Sequence, residues 1–573
     1  MAHHFRSYVT IRLFCYFISF YLVRICYARS ICSIVDQRSA IVGDRLFFSS
    51  GNYTFDDDGK TLHNTSSLYW LSLNNEIDVS GPIDMSLLGS SDLPSDALTG
   101  GKSPVSGGSA GTFFYDRTSL YAYAGMVGPE ADGVNNALWS FNTTDDTWKL
   151  VQIQGGKISF GNNSEGVHAS DTSSGMSFYT GGWTMAYNGT HNGTVKFQSF
   201  NSDTPQWSFE TATAGIQGPD ILKGAMVYLR KGQSGVLLAF GGYQTAYRGT
   251  EFAAWDWDRR PFSDIFVYDI FSNTWYLQQA TGDLPSLRTE FCAGVSAAPD
   301  DSSFQVTIHG GWDQLRGRAF NDVYVLSIPA FRWIKVDDSN NPDLLGSDSP
   351  GRNRLKCDVW NETQLIVSGG MISLGTGGIV NLNEECNKTY PPFKVLDTST
   401  YTWRTNFDPS RQYSVPDTVT AIIGGKSSGG ATLKAPSTGW DSQDLETIFS
   451  QTMPRDTSSS DPKLSNTPDS TTTPVLSNEV GGLTQGGIAG IAIAAAVVVI
   501  AAIVGMLVWF KRKRAKVEKD PIIIPENDWQ KPELEAVNNV RHELDNPETR
   551  PCEVPGSGGR WELPAPQRYV ELQ

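Results

Sequence analysis

The sequence predicts an all-β fold that is attached to a membrane by a single helix. The chain has 573 residues with 56 glycines, 16 tryptophans and 21 tyrosines, a mixture typical of short strands and tight turns. Between residues 40 and 410 a glycine pair, a strand and a tryptophan recur in that order. Residues 486–510 contain no charged side chain, and a bilayer core takes about 20 apolar residues to cross.

The repeated unit is an apolar strand that runs into Gly-Gly, a variable polar stretch, and an alternating strand that leads to Trp. Five copies are clear, with LYAYAG, MSFYTGG, VLLAFGG, FQVTIHGG and LIVSGG leading in turn to Trp148, Trp207, Trp275, Trp333 and Trp403. A first copy, RLFFSSG at 45–51, lacks the glycine pair and the final tryptophan. Alternation with period two indicates half-buried strands, and glycine at a strand end indicates positive φ or close backbone approach. Units of this size must stack to bury their sheets.

This pattern resembles the kelch repeat, whose copies form the blades of a β-propeller. The resemblance covers residues 35–410 and implies an extracellular kelch propeller at 29–410 with six blades. Spacings longer than the kelch length of about 50 residues leave a count of seven open. The whole layout resembles the single-span kelch-repeat membrane proteins of filamentous fungi. After the repeats we expect a short helix from Asp417 to Gly424, within a segment 411–449 packed on the propeller.

Several features predict export and a type I orientation. Residues 1–28 have a charged start, a short apolar run and a small residue at Ala28, which is typical of a cleaved signal peptide; an uncleaved anchor is the alternative. Basic residues at 511–514 place the C-terminal side of the span in the cytoplasm. There these residues would contact the anionic lipid surface of the membrane. Eight sequons for N-glycosylation all precede the span, at Asn52, Asn64, Asn142, Asn162, Asn188, Asn192, Asn361 and Asn387. We predict a plasma-membrane protein.

The segments around the predicted span have compositions that cannot bury a core. Residues 450–485 are rich in Ser, Thr and Pro and predict an extended stalk. Residues 511–573 are rich in Pro and Glu and predict a disordered tail. Similar short sequences recur there near Lys531, Arg541, Arg560 and Arg568. They predict either a docking sequence for a cytoplasmic adaptor or a merely solvated tail.

Four cysteines lie in the predicted exported domain, which suggests two disulfides among three pairings. Cys292 and Cys357 occupy like positions in adjacent units. Cys32 precedes the first unit and Cys386 lies in the last, so a bond between them would tie a propeller ring shut. We therefore predict Cys32–Cys386 and Cys292–Cys357; unpaired, small hydrophobic side chains are the alternative.

The sequence shows no catalytic constellation, and we predict a non-enzyme without cofactor or metal. A net charge of −16 argues against a nucleic-acid partner, which calls for a basic patch. Kelch rings include a copper oxidase family, so a galactose-oxidase-like enzyme on a stalk is one alternative, and a wall-stress sensor is another. The four exported histidines, His63, His168, His191 and His309, do not pair in the repeat register as copper ligands would.

With no catalytic residues recognised, we interpret one face of the predicted propeller as a binding surface. In a four-stranded antiparallel blade the stretches after each glycine pair all emerge on one side of the ring. They carry aromatic and acidic side chains suited to stacking on a sugar or anchoring a protein: Trp183, Tyr187, Tyr243, Tyr247, Trp255, Asp256, Trp257, Asp258, Trp312 and Asp313. We predict an extracellular glycan or protein ligand for this face. The alternative is that these aromatics cap their own blades.

Overall fold

The structure is a computed structural model, and its described residues belong to the first of two units of the chain, Met1–Leu464 and Ser465–Gln573. The described ranges are 29–94, 110–123, 134–135, 137–155, 158–159, 163–185, 191–209, 214–247, 255–336, 351–373, 386 and 390–455. Strands dominate these ranges and are joined by two short α-helices and one 3-10 turn. The all-β prediction is therefore confirmed.

Six four-stranded antiparallel blades follow one another along the described chain, each built from one continuous segment. The strands of blades 1–3 are Arg38–Val42, Arg45–Ser49, Ser67–Ser72 and Leu88–Asp92; Thr112–Tyr115, Ser119–Tyr123, Ala137–Asn142 and Thr147–Gln152; Val167–Asp171, Met176–Met185, His191–Asn201 and Gln206–Phe209. The strands of blades 4–6 are Ala225–Leu229, Val236–Phe240, Asp264–Asp269 and Thr274–Gln279; Cys292–Ala297, Phe304–His309, Val323–Ile328 and Arg332–Lys335; Lys356–Trp360, Gln364–Ser368, Phe393–Asp397 and Thr402–Arg404.

The first strand of every blade is the innermost one. Each inner strand contacts the inner strands of the blades before and after it, and that of blade 6 contacts that of blade 1. The six sheets therefore close into a ring around a central channel, which is the architecture of a β-propeller. Antiparallel order puts all connections between second and third strands on one side, here called the loop face. The hairpins between first and second strands lie on the opposite side, the hairpin face.

Shorter strands decorate the blades. On the loop face they extend the connections of all six blades, and at the outer edge they link a blade to its neighbour. They are Ser30–Val35, Asn52–Phe55, Asp58–Asn64, Ile77–Asp78, Ile83–Asp84, Val134–Asn135, Ile158–Ser159, Asn163–Ser164, Ala214–Gly215, Ile221–Leu222, Tyr243–Tyr247, Trp255–Arg259, Thr281–Gly282, Trp312–Asp313, Arg318–Ala319, Gly351–Asn353, Met371–Ser373 and Asn406–Phe407, with a 3-10 turn at Met85–Leu87.

The glycine pairs let adjacent blades approach each other. Gly310 and Gly311 end the second strand of blade 5 with φ of 71° and 106°. A Cβ on Gly310 would lie 2.6 Å from the carbonyl oxygen of Arg352 in the next blade, closer than any side chain tolerates. In blade 1 the same place is held by Ser50 and Gly51, at φ of 60° and 76°. The first copy thus keeps the backbone of the pair although it lacks the first glycine.

The tryptophan that ends each clear repeat packs against the preceding blade. Trp333 is fully buried, and its ring centroid lies 5.5 Å from that of Phe262 in blade 4. Likewise, the ring centroid of Trp275 lies 5.1 Å from that of Phe197 in the preceding blade 3. Aromatic surface on this scale dominates burial energetics, so these residues join the units as the repeat pattern predicts.

The junction between blade 6 and blade 1 is held by several short contacts. Cys32 and Cys386 lie at disulfide distance with 4.8 Å between their Cα atoms. The side chain of Gln37 donates to the Ser368 carbonyl at 2.8 Å, and Asn406–Phe407 pairs with Ile77–Asp78. Cys292 and Cys357, also at disulfide distance with Cα atoms 5.3 Å apart, join blades 5 and 6. These are the two pairings that the sequence predicts.

The segment after blade 6 runs back across blades 6, 5 and 4. The expected helix is confirmed at Asp417–Ile423, and Gly424 caps it at φ 73°; it packs its buried residues between blades 5 and 6. A second helix, Gln443–Ser450, packs against blades 4 and 5. Arg455 then pairs with Asp301 at 2.8 Å and Glu362 at 2.9 Å, both in hairpins of the hairpin face.

Several predicted segments lie outside the described residues. These are the signal peptide, most of the stalk, the 486–510 span and the tail. Within the described ranges, the two helices are too short and too polar to cross a bilayer.

Candidate functional site

The structure describes the predicted binding face only in part. Tyr187 lies outside the described residues. Tyr243–Tyr247 and Trp255–Arg259 form a hairpin on the loop face of blade 4, in which Trp255 pairs with Tyr247 and Trp257 with Thr245 in the backbone register. Only the backbone is described for Trp183, Tyr247, Trp255, Asp256 and Trp257.

Two of the predicted residues are used inside the protein. The Tyr243 side chain is buried and donates a hydrogen bond to Gln314 of blade 5. Asp313 is also buried; its carboxylate accepts the backbone N–H of Leu315 at 3.1 Å and lies 3.7 Å from the Arg259 guanidinium of blade 4. These contacts brace the loop-face connections of blades 4 and 5 against each other.

The braced connection presents an apolar tip to solvent. Leu315 is 80% exposed, although the turn that carries it is fixed by two backbone bonds to Asp313 and by the Arg316–Asp313 ion pair at 2.9 Å. Trp312 beside it is half-buried, and Asp258 on the neighbouring hairpin is exposed. A single exposed leucine is common on protein surfaces, so what distinguishes this turn is that Trp312 and Leu315 lie together on a connection fixed by Asp313.

Six residues at like positions surround the mouth of the central channel on the loop face. Each lies two residues before an inner strand and has φ between 56° and 60°; they are Asp36, Ala110, Glu165, Lys223, Glu290 and Arg354, here called the mouth ring. At five of the six junctions the backbone N–H of one member donates to the carbonyl of the previous member, at 2.8–3.2 Å. The propeller therefore gathers one residue from every blade around its axis.

Ion pairs connect most of the mouth ring. Lys223 lies 2.6 Å from Glu290 and 3.3 Å from Glu165, while Arg354 lies 3.0 Å from Asp36 and 3.6 Å from Glu290. Burial alone would raise the pKa of Glu290, but Lys223 and Arg354 lower it below its usual value. Burial raises the pKa of Glu165, and Lys223 does not cancel that effect.

Below the ring the channel holds a cavity of about 380 Å³ lined by the inner strands. The Asp358 carboxylate accepts the Ser39 hydroxyl there at 2.6 Å, and burial raises its pKa to about 6. His168 lines the same cavity, and burial and the charge of Lys356 lower its pKa to about 3. Buried titratable side chains in a concave site are one mark of a binding site.

The described part of the chain lacks a cluster of metal ligands. Its His, Cys, Asp and Glu side chains form no group of three that could hold a metal. His309 faces the Asp322 carbonyl, with its Nδ1 at 3.1 Å from that oxygen, and its ring lies 4.8 Å from that of Trp403.

Of the sequons, Asn361 is exposed at a hairpin-face turn, and Asn52 and Asn142 are half-buried. Asn64 and Asn192 lie in strands whose side chains are not described there. The other three, Asn162, Asn188 and Asn387, lie outside the described residues. Glycosylation stays a prediction.

Sequence reasoning missed the mouth ring and the channel. A usable signal exists, since a charged residue stands two positions before the first strand in five of the six units. Its meaning depends on the stacking of the blades, which brings these positions together around one axis. Read one unit at a time, Glu165 and Lys223 are ordinary loop charges.

The fold and this face define a six-bladed β-propeller, the kind of scaffold on which binding sites are built from loops. The chain is similar to a kelch repeat-containing protein of Arthroderma benhamiae, with 26% identity over 481 residues, 71% of this chain and 65% of that protein. It thus spans a little under two thirds of that relative's length. Among solved structures it is similar to YjhT, with 14% identity and a TM-score of 0.40, over 64% of this chain and 95% of that one. No family model matches the chain.

Proposed function

We propose that this protein is a cell-surface binding module: an extracellular propeller, carried on a stalk and one membrane helix, that binds a glycan or protein through its loop face. The observation that carries the proposal is the braced turn between blades 4 and 5. It holds Leu315 in water beside Trp312, and rigid aromatic and apolar anchors bind at low entropic cost.

The course of the chain is compatible with a tether. The last described residue, Arg455, lies on the hairpin face through its pairs with Asp301 and Glu362. A stalk that continues from there would begin on the side opposite the loops and leave the loop face uncovered. The uncharged 486–510 stretch and the basic residues after it support the membrane attachment.

A binding screen tests the ligand part of this proposal. The secreted ectodomain, residues 29–485, is presented to glycan and surface-protein arrays, and each binder is remeasured with variants. We expect Trp312→Ala with Leu315→Ser, and separately Trp255→Ala with Trp257→Ala, to weaken binding at least about tenfold, as for hot-spot residues.

Phe271→Ser is the matched control, because Phe271 is 59% exposed and lies in the hairpin between the third and outer strands of blade 4, on the hairpin face. It should bind as the unaltered protein does. Loss of binding in this variant alone, with both loop-face variants unaffected, would refute the loop face as the site.

The membrane part has its own test. In intact cells that produce the full chain, an external protease should remove the propeller and leave a fragment that contains the 511–573 tail. Glycosidase treatment should lower the mass of the released part. A tail that is cleaved from outside, or a propeller that is protected, would contradict the type I orientation.

A further inference from the structure

The charges of the mouth ring alternate around the channel except at one position. Going round from blade 1, the signs are negative at Asp36, none at Ala110, negative at Glu165, positive at Lys223, negative at Glu290 and positive at Arg354. Each cation bridges the two acids beside it, at distances of 2.6–3.6 Å. Between the remaining two neighbouring acids, Asp36 and Glu165, the ring position is held by the uncharged Ala110.

Glu165, at one end of this interval, has a buried polar atom without a partner in the described part of the chain. The Glu165 side chain is only 9% exposed, and its Oε2 has no hydrogen-bond partner among the described residues. A buried, unpaired carboxylate oxygen costs stability. Burial accordingly raises the pKa of Glu165, whereas Glu290, with a cation on each side, has a lowered pKa.

The channel mouth contains space for a third cation. A cavity of about 80 Å³ lies among all six ring residues, and Ala110, Gly111 and Thr112 form part of its lining next to Asp36 and Glu165. That volume exceeds what one water needs, roughly 10–15 Å³ on the same measure. It suits an ammonium group with a short alkyl chain.

Lys356 lines this cavity as well, from the inner strand below, so its charge must be considered. Asp36 and Glu165 both favour its charged form, although burial lowers the pKa of Lys356 on balance. Within the described residues Lys356 forms no ion pair within 4 Å of either acid, unlike Lys223 and Arg354 in the ring. It weakens the negative potential of the interval without bridging it.

We propose that the interval between Asp36 and Glu165 is a binding site for a primary ammonium group, from a free amine or from the lysine side chain of a partner, which completes the ring as Lys223 does between Glu165 and Glu290. The site does not depend on membrane attachment or on Trp312. Each proposal can therefore fail without the other.

Thermal unfolding of the full chain with n-butylammonium chloride tests the site, with equal sodium chloride and n-butanol as references. We expect a saturable rise in Tm of about 1–3 °C at ten times Kd, and none with n-butanol. Glu165→Gln should raise Kd at least about fivefold, while Trp312→Ala should leave it unchanged. Nα-acetyl-lysine amide separates the sources: if it also binds, the mouth admits a partner's lysine, and if only n-butylamine binds, the ligand is a free amine.

Ala110→Lys gives the reciprocal test. Ala110 has φ 56° and Lys223, at the like position, has φ 57°, so the backbone suits a lysine. The variant should have a raised Tm and no response to n-butylamine. Ala110→Met, of similar length without charge, should lose the response without the rise. An Ala110→Lys variant that responds as the unaltered chain does, a response equal to that of n-butanol, or no saturable response in the unaltered chain would overturn the site.

Discussion

Replacing Trp333 by alanine measures how strongly a repeat tryptophan joins two blades. The side chain is fully buried, with ring centroids 5.9 Å from Phe240 and 5.5 Å from Phe262 of the preceding blade. Its Nε1–H donates to the Phe262 carbonyl at 2.8 Å. The substitution therefore removes packing and a hydrogen bond across one blade junction.

The size of the effect follows from the buried area. An aromatic side chain buries about 150–250 Å², which at about 25 cal/mol per Å² is roughly 4–6 kcal/mol, an upper limit because the unfolded chain is partly compact. Buried tryptophan-to-alanine changes cost about 3–5 kcal/mol. We expect Trp333→Ala to lower the free energy of unfolding by about 4 kcal/mol, measured by guanidinium unfolding followed with far-UV circular dichroism.

Trp148→Ala is the matched control. Trp148 ends the repeat in blade 2 but is half-buried, and its indole N–H has no partner within the described residues. A loss of only about 1–2 kcal/mol is expected, since less surface leaves water. Equal losses at the two positions would refute the view that these tryptophans act through junction burial.

Three further predictions concern the channel, the ring junction and the glycine pairs. Burial raises the pKa of Asp358 from 3.8 to about 6, so the carboxyl's contribution to stability is full below pH 4 and is lost as pH rises through 6. In urea unfolding at pH 7.5, Asp358→Asn should therefore be more stable than the unaltered protein, by at most about 3 kcal/mol because water screens part of the charge. At pH 4 it should be no more stable. Replacing Cys32 and Cys386 by serine should cost about 3–5 kcal/mol in the same assay. Reduction also opens the Cys292–Cys357 pair, so under reducing conditions the difference between the variant and the unaltered protein should vanish. Equal stabilities of the two proteins under oxidising conditions would refute a stabilising Cys32–Cys386 bond. Gly310→Ala should lower the free energy of unfolding by more than about 3 kcal/mol, because strain and a backbone clash combine. Gly317 has φ 61° with nothing within 4 Å of an added Cβ, so Gly317→Ala should cost about 1 kcal/mol. Similar thermal shifts for both variants would show that the close approach at Gly310 does not matter.

The sequence was sufficient for features that depend on one unit and its immediate neighbour. The strand ends, the glycine pairs and the tryptophans follow from local periodicity and from the need to stack. The helix Asp417–Ile423 could be predicted because Gly424 ends it and no kelch strand follows. The departure in the first copy can also be explained, since Ser50 adopts the positive φ that blades 3 to 6 give to glycine.

Features that depend on closure around the axis were not predictable in the same way. The mouth ring joins side chains from positions 36 to 354, and its Arg354–Asp36 pair exists only when blade 6 meets blade 1. The roles of Tyr243 and Asp313 were hidden for a related reason. Both look like exposed loop residues in the sequence, yet each bonds to a residue of a neighbouring connection.

The junction between blades 6 and 1 explains why the two ends of the repeat region are joined by a disulfide and additional contacts. In a stack of units that touch only their neighbours, stability is a sum of unit and interface contributions, and the interface between blades 6 and 1 is the one that chain connectivity does not hold. Each blade keeps its own four strands, and the two-stranded pairing of Asn406–Phe407 with Ile77–Asp78 is the described sheet that joins the two ends. Here Gly370 donates to the Ile34 carbonyl at 2.8 Å, and Phe48 packs on Phe393 with centroids 5.4 Å apart. The Cys32–Cys386 bond stabilises these contacts, because it prevents blades 6 and 1 from separating and exposing their apolar faces to water.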